Sequence, residues 1–270
     1  MIGLLFLFSA AQASIDPDCQ KLANQGPPAD YDEQAQADFL LNYVAMAMTF
    51  SPLHGALADD AGHGAIGVDI LGIPPLGCER RLVLNYTKSE DTNKAPAAPR
   101  FRASFSFPEV AGLRLYTSAA YIPPVPLAGV RSTLVAGEFG VGKALENGLA
   151  VGARGHATMF KTIGEVATPF NPEDEAYDDL YLSSTFGLDL MASYETGSFE
   201  PYLALGWTDA STFFYIGDDG FIGDNKSPYW GPTLALGTEA NLVENVLLAA
   251  EFYAAPGIIM TGRLRAALQF

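Results

Sequence analysis

The sequence predicts an all-β chain, a closed antiparallel β-barrel that crosses a membrane on about 12 strands, within a range of 10–14, preceded by one amphipathic helix. Three observations carry this. From about residue 64 onward, apolar residues recur at every second position in segment after segment. The opposite faces of those segments repeatedly carry arginine and carboxylate, which a soluble β-sandwich, the rival fold, gives no reason for. The connections alternate short and long, as strands joined by tight turns at one end and longer loops at the other require.

The chain has 270 residues and no Pro/Gly/Ser-rich linker in its second half, which favours one large β domain, residues 51–270. Hydrophobic residues make up 49% of it, yet beyond the first residues no apolar run is long enough to cross a bilayer as a helix. Any crossing therefore uses strands. A net charge of −16 argues against nucleic acid as a partner, since phosphate binding needs a basic surface. Acidity of this kind suits a chain that meets divalent cations at a cell surface.

Residues 1–13 contain the apolar run Ile2 to Phe8 followed by Ala11-Gln12-Ala13, and read as a signal peptide cleaved before Ser14. Residues 14–50 form a leader and a helix. The leader, 14–30, is polar and reads as extended, and Asp30-Tyr31-Asp32-Glu33 then opens a helix over about 31–49, with Phe39, Leu40, Tyr43, Val44, Ala47 and Phe50 at helical spacing before Pro52. This helix either plugs a barrel lumen or packs beneath its rim. Cys19 and Cys78 are compatible with export, where a disulfide persists. It would close a loop of about 60 residues, worth roughly 4 kcal/mol. Two free buried thiols are the alternative.

The strands follow in order. Ile66, Val68 and Ile70 alternate with Gly67 and Asp69, and residues 73–79 turn the chain into Leu82, Leu84 and Tyr86, opposed by Arg81 and Asn85. Phe101, Ala103, Phe105 and Phe107 alternate with Arg100, Arg102, Ser104 and Ser106, the cleanest two-faced segment in the chain. Leu113 and Leu115 oppose Arg114 and Tyr116; Val135, Phe139 and Val141 oppose Glu138. The turn Glu146-Asn147-Gly148 reverses the chain into Leu149, Val151 and Ala153, opposed by Arg154 and His156. An acidic loop over 161–178 precedes Leu180 to Leu190 with Asp189 opposite. Beyond the turn Glu195-Thr196-Gly197, Phe199, Leu203 and Leu205 oppose Glu200 and Tyr202. A second acidic loop, 208–228, leads to Leu234 and Leu236 opposite Glu239, then Val246 to Phe252 opposite Glu251. The last segment sets Ile258, Met260, Leu264, Leu268 and Phe270 against Arg263, Arg265 and Gln269.

This last strand, amphipathic and ending on Phe270, resembles the closing strand of bacterial outer-membrane β-barrels. The resemblance implies that Phe270 is an assembly signal, that the barrel-assembly machinery and outer-membrane lipid are partners, and that the chain resides in the bacterial outer membrane. It also places the turns at 73–79, 108–112, 146–148, 195–197 and 243–245 on the periplasmic side with Phe270. The stretch Gly55-Ala56-Leu57-Ala58-Asp59-Asp60-Ala61-Gly62 is similar to the Ala-Asp-Asp-Ala segment of the outer-membrane fatty-acid transporter family, which carries a helical hatch in its lumen. It covers about a tenth of the chain, lacks the Asn-Pro-Ala expected to follow, and transfers no binding residue.

The polar faces define the candidate site. Arg81, Arg100, Arg102, Arg114, Arg154, Arg263 and Arg265 form a basic arc, and Asp69, Glu138, Asp189, Glu200, Glu239 and Glu251 an acidic one. In a narrow barrel the arcs meet as ion pairs; in a wide one they face each other across water and orient permeating solutes. The expected function is passive transport of small solutes, hydrophobic ones included. The alternative is a sealed structural or surface-interaction barrel. No enzyme is expected: His156 is followed by Ala157-Thr158 rather than the His-x-Ser of the outer-membrane phospholipase. No cofactor is expected, and no metal: Asp218-Asp219-Gly220 to Asp224 lacks EF-hand spacing.

Overall fold

The computed structural model describes residues 16–90, 93, 95–127, 130–164, 167–171, 178–216, 221–243 and 245–270. The expected signal peptide, residues 172–177 of the first acidic loop and Asp218-Asp219-Gly220 of the second lie outside them. Ten antiparallel strands form the barrel: β1 (Gly64–Gly72), β2 (Ala97–Ser106), β3 (Arg114–Ile122), β4 (Val130–Ala144), β5 (Leu149–Gly164), β6 (Asp179–Tyr194), β7 (Phe199–Ile216), β8 (Trp230–Val243), β9 (Val246–Ala255) and β10 (Ile259–Gln269). Each pairs with the next, and β10 pairs with β1 from Ala65↔Gln269 to Leu71↔Arg263, so the sheet closes. Backbone bonds of 2.9 and 3.1 Å between Phe270 and Gly64 finish the seam. Closure leaves the ten-stranded sheet without an unpaired edge strand.

Ten strands lie at the low end of the expected range, and the miscount traces to one segment. Leu82 and Val83 form only a two-residue strand, and Leu84, Asn85 and Tyr86 have positive φ, so 82–86 does not join the barrel wall. It belongs to a cap that includes helix α3 (Cys78–Arg81) and a three-stranded sheet of residues 82–83, 88–90 and 167–169. Losing one strand inverts one connection. Residues 73–90 therefore sit at the end opposite Phe270, which corrects the expected placement of 73–79 at the Phe270 end. The turns at 108–112, 146–148 and 195–197 do lie at the Phe270 end, as does the connection between β8 and β9. In the 146–148 turn Asn147 (φ 63°) and Gly148 (φ 79°) both occupy the left-handed region that Asn and Gly tolerate.

Alternation sorts the wall. Ile66, Phe101, Phe139, Leu188, Leu190, Leu205, Leu236 and Leu268 point outward and are exposed, while Asp69, Arg102, Glu138, Arg154 and Arg263 point inward and are buried. Outward aromatics gather near both rims: Phe107, Tyr194, Phe199 and Phe270 at the short-turn end, and Tyr121, Trp207 and Trp230 toward the other. No helix among the described residues is long and apolar enough to cross a membrane, which leaves crossing by strands untouched. Five strands, β1 to β3, β9 and β10, have the nine to eleven residues of a bilayer crossing, β8 has 14, and β4 to β7 run 15–18 residues and form a taller wall at the long-loop end.

Before the barrel, the polar stretch expected to be extended contains helix α1 (Pro17–Ala23). Asp16 caps it by accepting from the Asp18 N–H, and Pro17 at the first position is already set for helix. Cys19 of α1 and Cys78 of α3 are joined in a disulfide. Helix α2 (Glu33–Met48) begins on Asp32, whose carboxylate accepts from the Ala35 N–H.

Candidate functional site: the filled lumen

Helix α2 enters the lumen at the long-loop end. Asn42 donates to Ser227 O at 2.9 Å and Tyr181 donates to Leu41 O at 2.8 Å, both near the loops. The helix stops where Arg263 reaches its last carbonyls: Thr49 O at 2.8 Å, Met46 O at 3.1 Å and Ala47 O at 3.3 Å. These are the acceptors that a helix end leaves unsatisfied, and the positive charge suits the negative end of the helix dipole. Beyond Thr49 the chain runs in irregular form down the lumen to Gly64. Leu53 N–H donates to Glu251 at 3.0 Å, Ala56 N–H to Ser193 at 3.0 Å, and Asp59 N–H to Ser106 at 3.2 Å, so nearly every step is pinned to the wall. Residues 33–63 thus thread the barrel from the long-loop end to the Phe270 end.

Phe50 is the hub of this segment. Its ring is fully buried, with the Arg102 guanidinium 4.1 Å and that of Arg100 4.7 Å from its centroid. Its N–H donates to Thr158 Oγ1 and its carbonyl accepts from Arg154, both at 3.0 Å. Around it the charges meet directly. Asp69 takes Arg100 at 2.8 Å and Arg102 at 3.5 Å; Glu138 takes Arg102 at 2.9 Å and His54 at 3.0 Å; Arg154 bridges Glu138 and Asp189. Ser118 also donates to Glu138. Carboxylates inside a protein are tolerated when paired and hydrogen-bonded in this way.

The structure places twelve of the thirteen expected lumen residues on the inner face. Asp69, Arg100, Arg102, Glu138, Arg154 and Asp189 form the network; Arg263 holds α2; Arg265 donates to Ser104 at 3.0 Å; and Glu251 accepts from Tyr202 at 2.9 Å. Arg114 sits at the short-turn rim, paired with Glu109 at 3.0 Å, and Glu200 and Glu239 oppose each other on β7 and β8. Arg81 is the exception. It lies in α3 of the cap, 3.3 Å from Asp16 and 2.8 Å from Glu90 O, because its segment never joins the wall. Sequence reading set Thr158 and Tyr253 on the polar faces and Phe50 in the helix pattern but gave none of them, nor His54, a part in the lumen network; the Tyr253 ring lies 3.8 Å from the Arg263 guanidinium. An aromatic after a helix and a histidine in a Gly/Ala-rich stretch carry no period that would announce a lumen path.

Where α2 meets the extended wall, a cavity of about 450 Å³ opens at the mouth, lined by Leu40, Leu41, Val44, Leu180, Tyr181 and Phe214, with Glu33, Asp179 and Lys226 among its polar groups. Asp16, Cys19 and Cys78 form the one cluster of metal-ligand type among the described residues, and both sulfurs are already committed to the disulfide.

Ten closed antiparallel strands with an apolar exterior and a charged interior are the architecture of an outer-membrane β-barrel. No protein-family model matches the chain, and no curated protein matches it. Solved structures with a similar fold include the translocator domain of the autotransporter NalP from Neisseria meningitidis, at 7% identity and a TM-score of 0.46 over 78% of this chain and 89% of that one. The toluene transporter TodX of Pseudomonas putida is similar at 12% identity and a TM-score of 0.39, over 85% and 75%. Ail, the attachment invasion locus protein of Yersinia pestis, is similar at 9% identity and a TM-score of 0.36, over 78% and 99%.

Proposed function

We propose that the chain is a bacterial outer-membrane barrel, closed at rest, that captures small hydrophobic solutes at its cell-surface mouth and passes them inward when the lumen segment moves. The mouth cavity is the observation that carries this reading. It is mostly apolar, of a size typical for small ligands, and one of its walls is α2, the element that fills the passage. A solute seated against Leu41 and Val44 would touch the plug itself, which gives binding a means to act on it. The proposed activity is binding and passage rather than catalysis, with Phe270 and its strand engaging the assembly machinery.

Toluene serves as a probe, with the refolded barrel in detergent. Saturable binding is expected, read as a rise in unfolding temperature, together with toluene uptake in cells expressing the protein. Val44→Trp, which fills the cavity with a larger apolar group, is expected to remove both while the barrel still shows heat-modifiable gel migration. Undiminished uptake in that variant would overturn the proposal. A second reading, a sealed surface-interaction barrel, is favoured by the small strand number and the direct contact of the charged arcs. It predicts no toluene binding in either protein.

A further inference from the structure

The short-turn end encloses a second cavity of about 370 Å³, and its chemistry is the reverse of the mouth's. Glu200 and Glu239 are direct cross-strand partners on the inner face. Directly opposed residues hold their Cβ atoms about 5 Å apart, so the two carboxylates share one space, and like charges so placed are destabilising. Among the described residues neither lies within ion-pair distance of a basic side chain, although the carboxylates of the Phe50 network all do. Glu239 is 6% exposed, and its Oε2 has no hydrogen-bond partner. Asp60 and Glu195 add carboxylates to the lining, while the one guanidinium there, Arg114, is engaged by Glu109 and by Asp59 O at 3.1 Å. The lumen segment presses onto the pair at Gly55, where a Cβ would come within 1.9 Å of Glu200 Oε1.

Glu239 accepts from the Gly55 N–H and Glu200 from the Ser193 hydroxyl, but a buried carboxylate oxygen left without a partner beside a second carboxylate calls for positive charge. We infer that this cavity is a divalent-cation site in which Glu200 and Glu239 supply the charged oxygens, tying the lumen segment to the wall at its inner end. Calcium takes six to eight oxygen ligands and accepts water among them. At roughly 30 Å³ per water, the cavity has room for the waters that complete such a shell. The inference stands apart from the hydrophobic-solute reading, because it concerns the opposite end of the lumen and other residues.

The test uses the refolded full chain, stripped with chelator and titrated with calcium chloride, with unfolding temperature read by heat-modifiable migration. The wild type should gain roughly 5–10 °C, saturably, at a hundredfold excess over Kd. Glu239→Gln and Glu200→Gln keep the shape and remove the charge; both should fold in chelator at no lower temperature than the wild type and should lose most of the calcium-dependent rise. The double variant Asp218→Asn, Asp219→Asn in the acidic loop should keep it. The inference is overturned by no rise in the wild type, by a rise that survives both glutamate variants, by a rise lost with the loop variant, or by an equal rise with methylammonium.

Discussion

At the scale of single residues, Phe50 and Arg154 fix the lumen segment to the wall. Phe50 contributes a buried ring, two backbone hydrogen bonds and two stacked guanidinium groups at once. Phe50→Ala should therefore cost about 3–5 kcal/mol, the usual range for a large buried aromatic, as measured by denaturant unfolding in detergent. Arg154 holds two carboxylates, and Arg154→Met leaves Glu138 with Arg102 and His54 but strips Asp189 of its closest partner. A loss of about 3–5 kcal/mol is expected. The double variant Arg154→Met, Asp189→Leu should recover much of it, because removing both charges leaves no buried carboxylate behind; no recovery would count against direct pairing. The inward position of these charges was legible in the sequence from period alone. Their partners were not, since alternation gives the face of a residue but not the strand across the lumen that it meets.

At the scale of elements, α2 was legible from its capping aspartate, its spacing and Pro52, to within a residue or two of Glu33–Met48. The fate of 49–63 was not, because irregular chain held by wall side chains leaves no periodic signature. The cap explains the strand miscount in the same terms: Leu82, Leu84 and Tyr86 alternate, but three successive positive φ values fold them into a turn under α1. Cys19→Ser with Cys78→Ser should release α1 from α3. Protease is then expected to cut between residues 16 and 32 while the barrel keeps its heat-modifiable migration. Equal resistance with and without the bridge would show that packing around Leu82 and Tyr86 suffices.

At the scale of the whole molecule, the path of the chain sets the topology. Residues 33–63 descend the lumen to reach β1, so α1 lies at the same end as the long loops. A single biotinylated site before α1 and one in residues 217–229 should then be labelled from the same side of intact cells. Labelling from opposite sides would contradict the threading. The central claim, that this chain closes its own lumen, is tested most directly by single-channel conductance in planar bilayers. The protein spanning 14–270 should be silent, and a variant lacking 14–50, verified as a folded barrel by its migration, should give discrete steps. Equal steps from both would contradict the account, because residues 33–50 would then not be what fills the lumen.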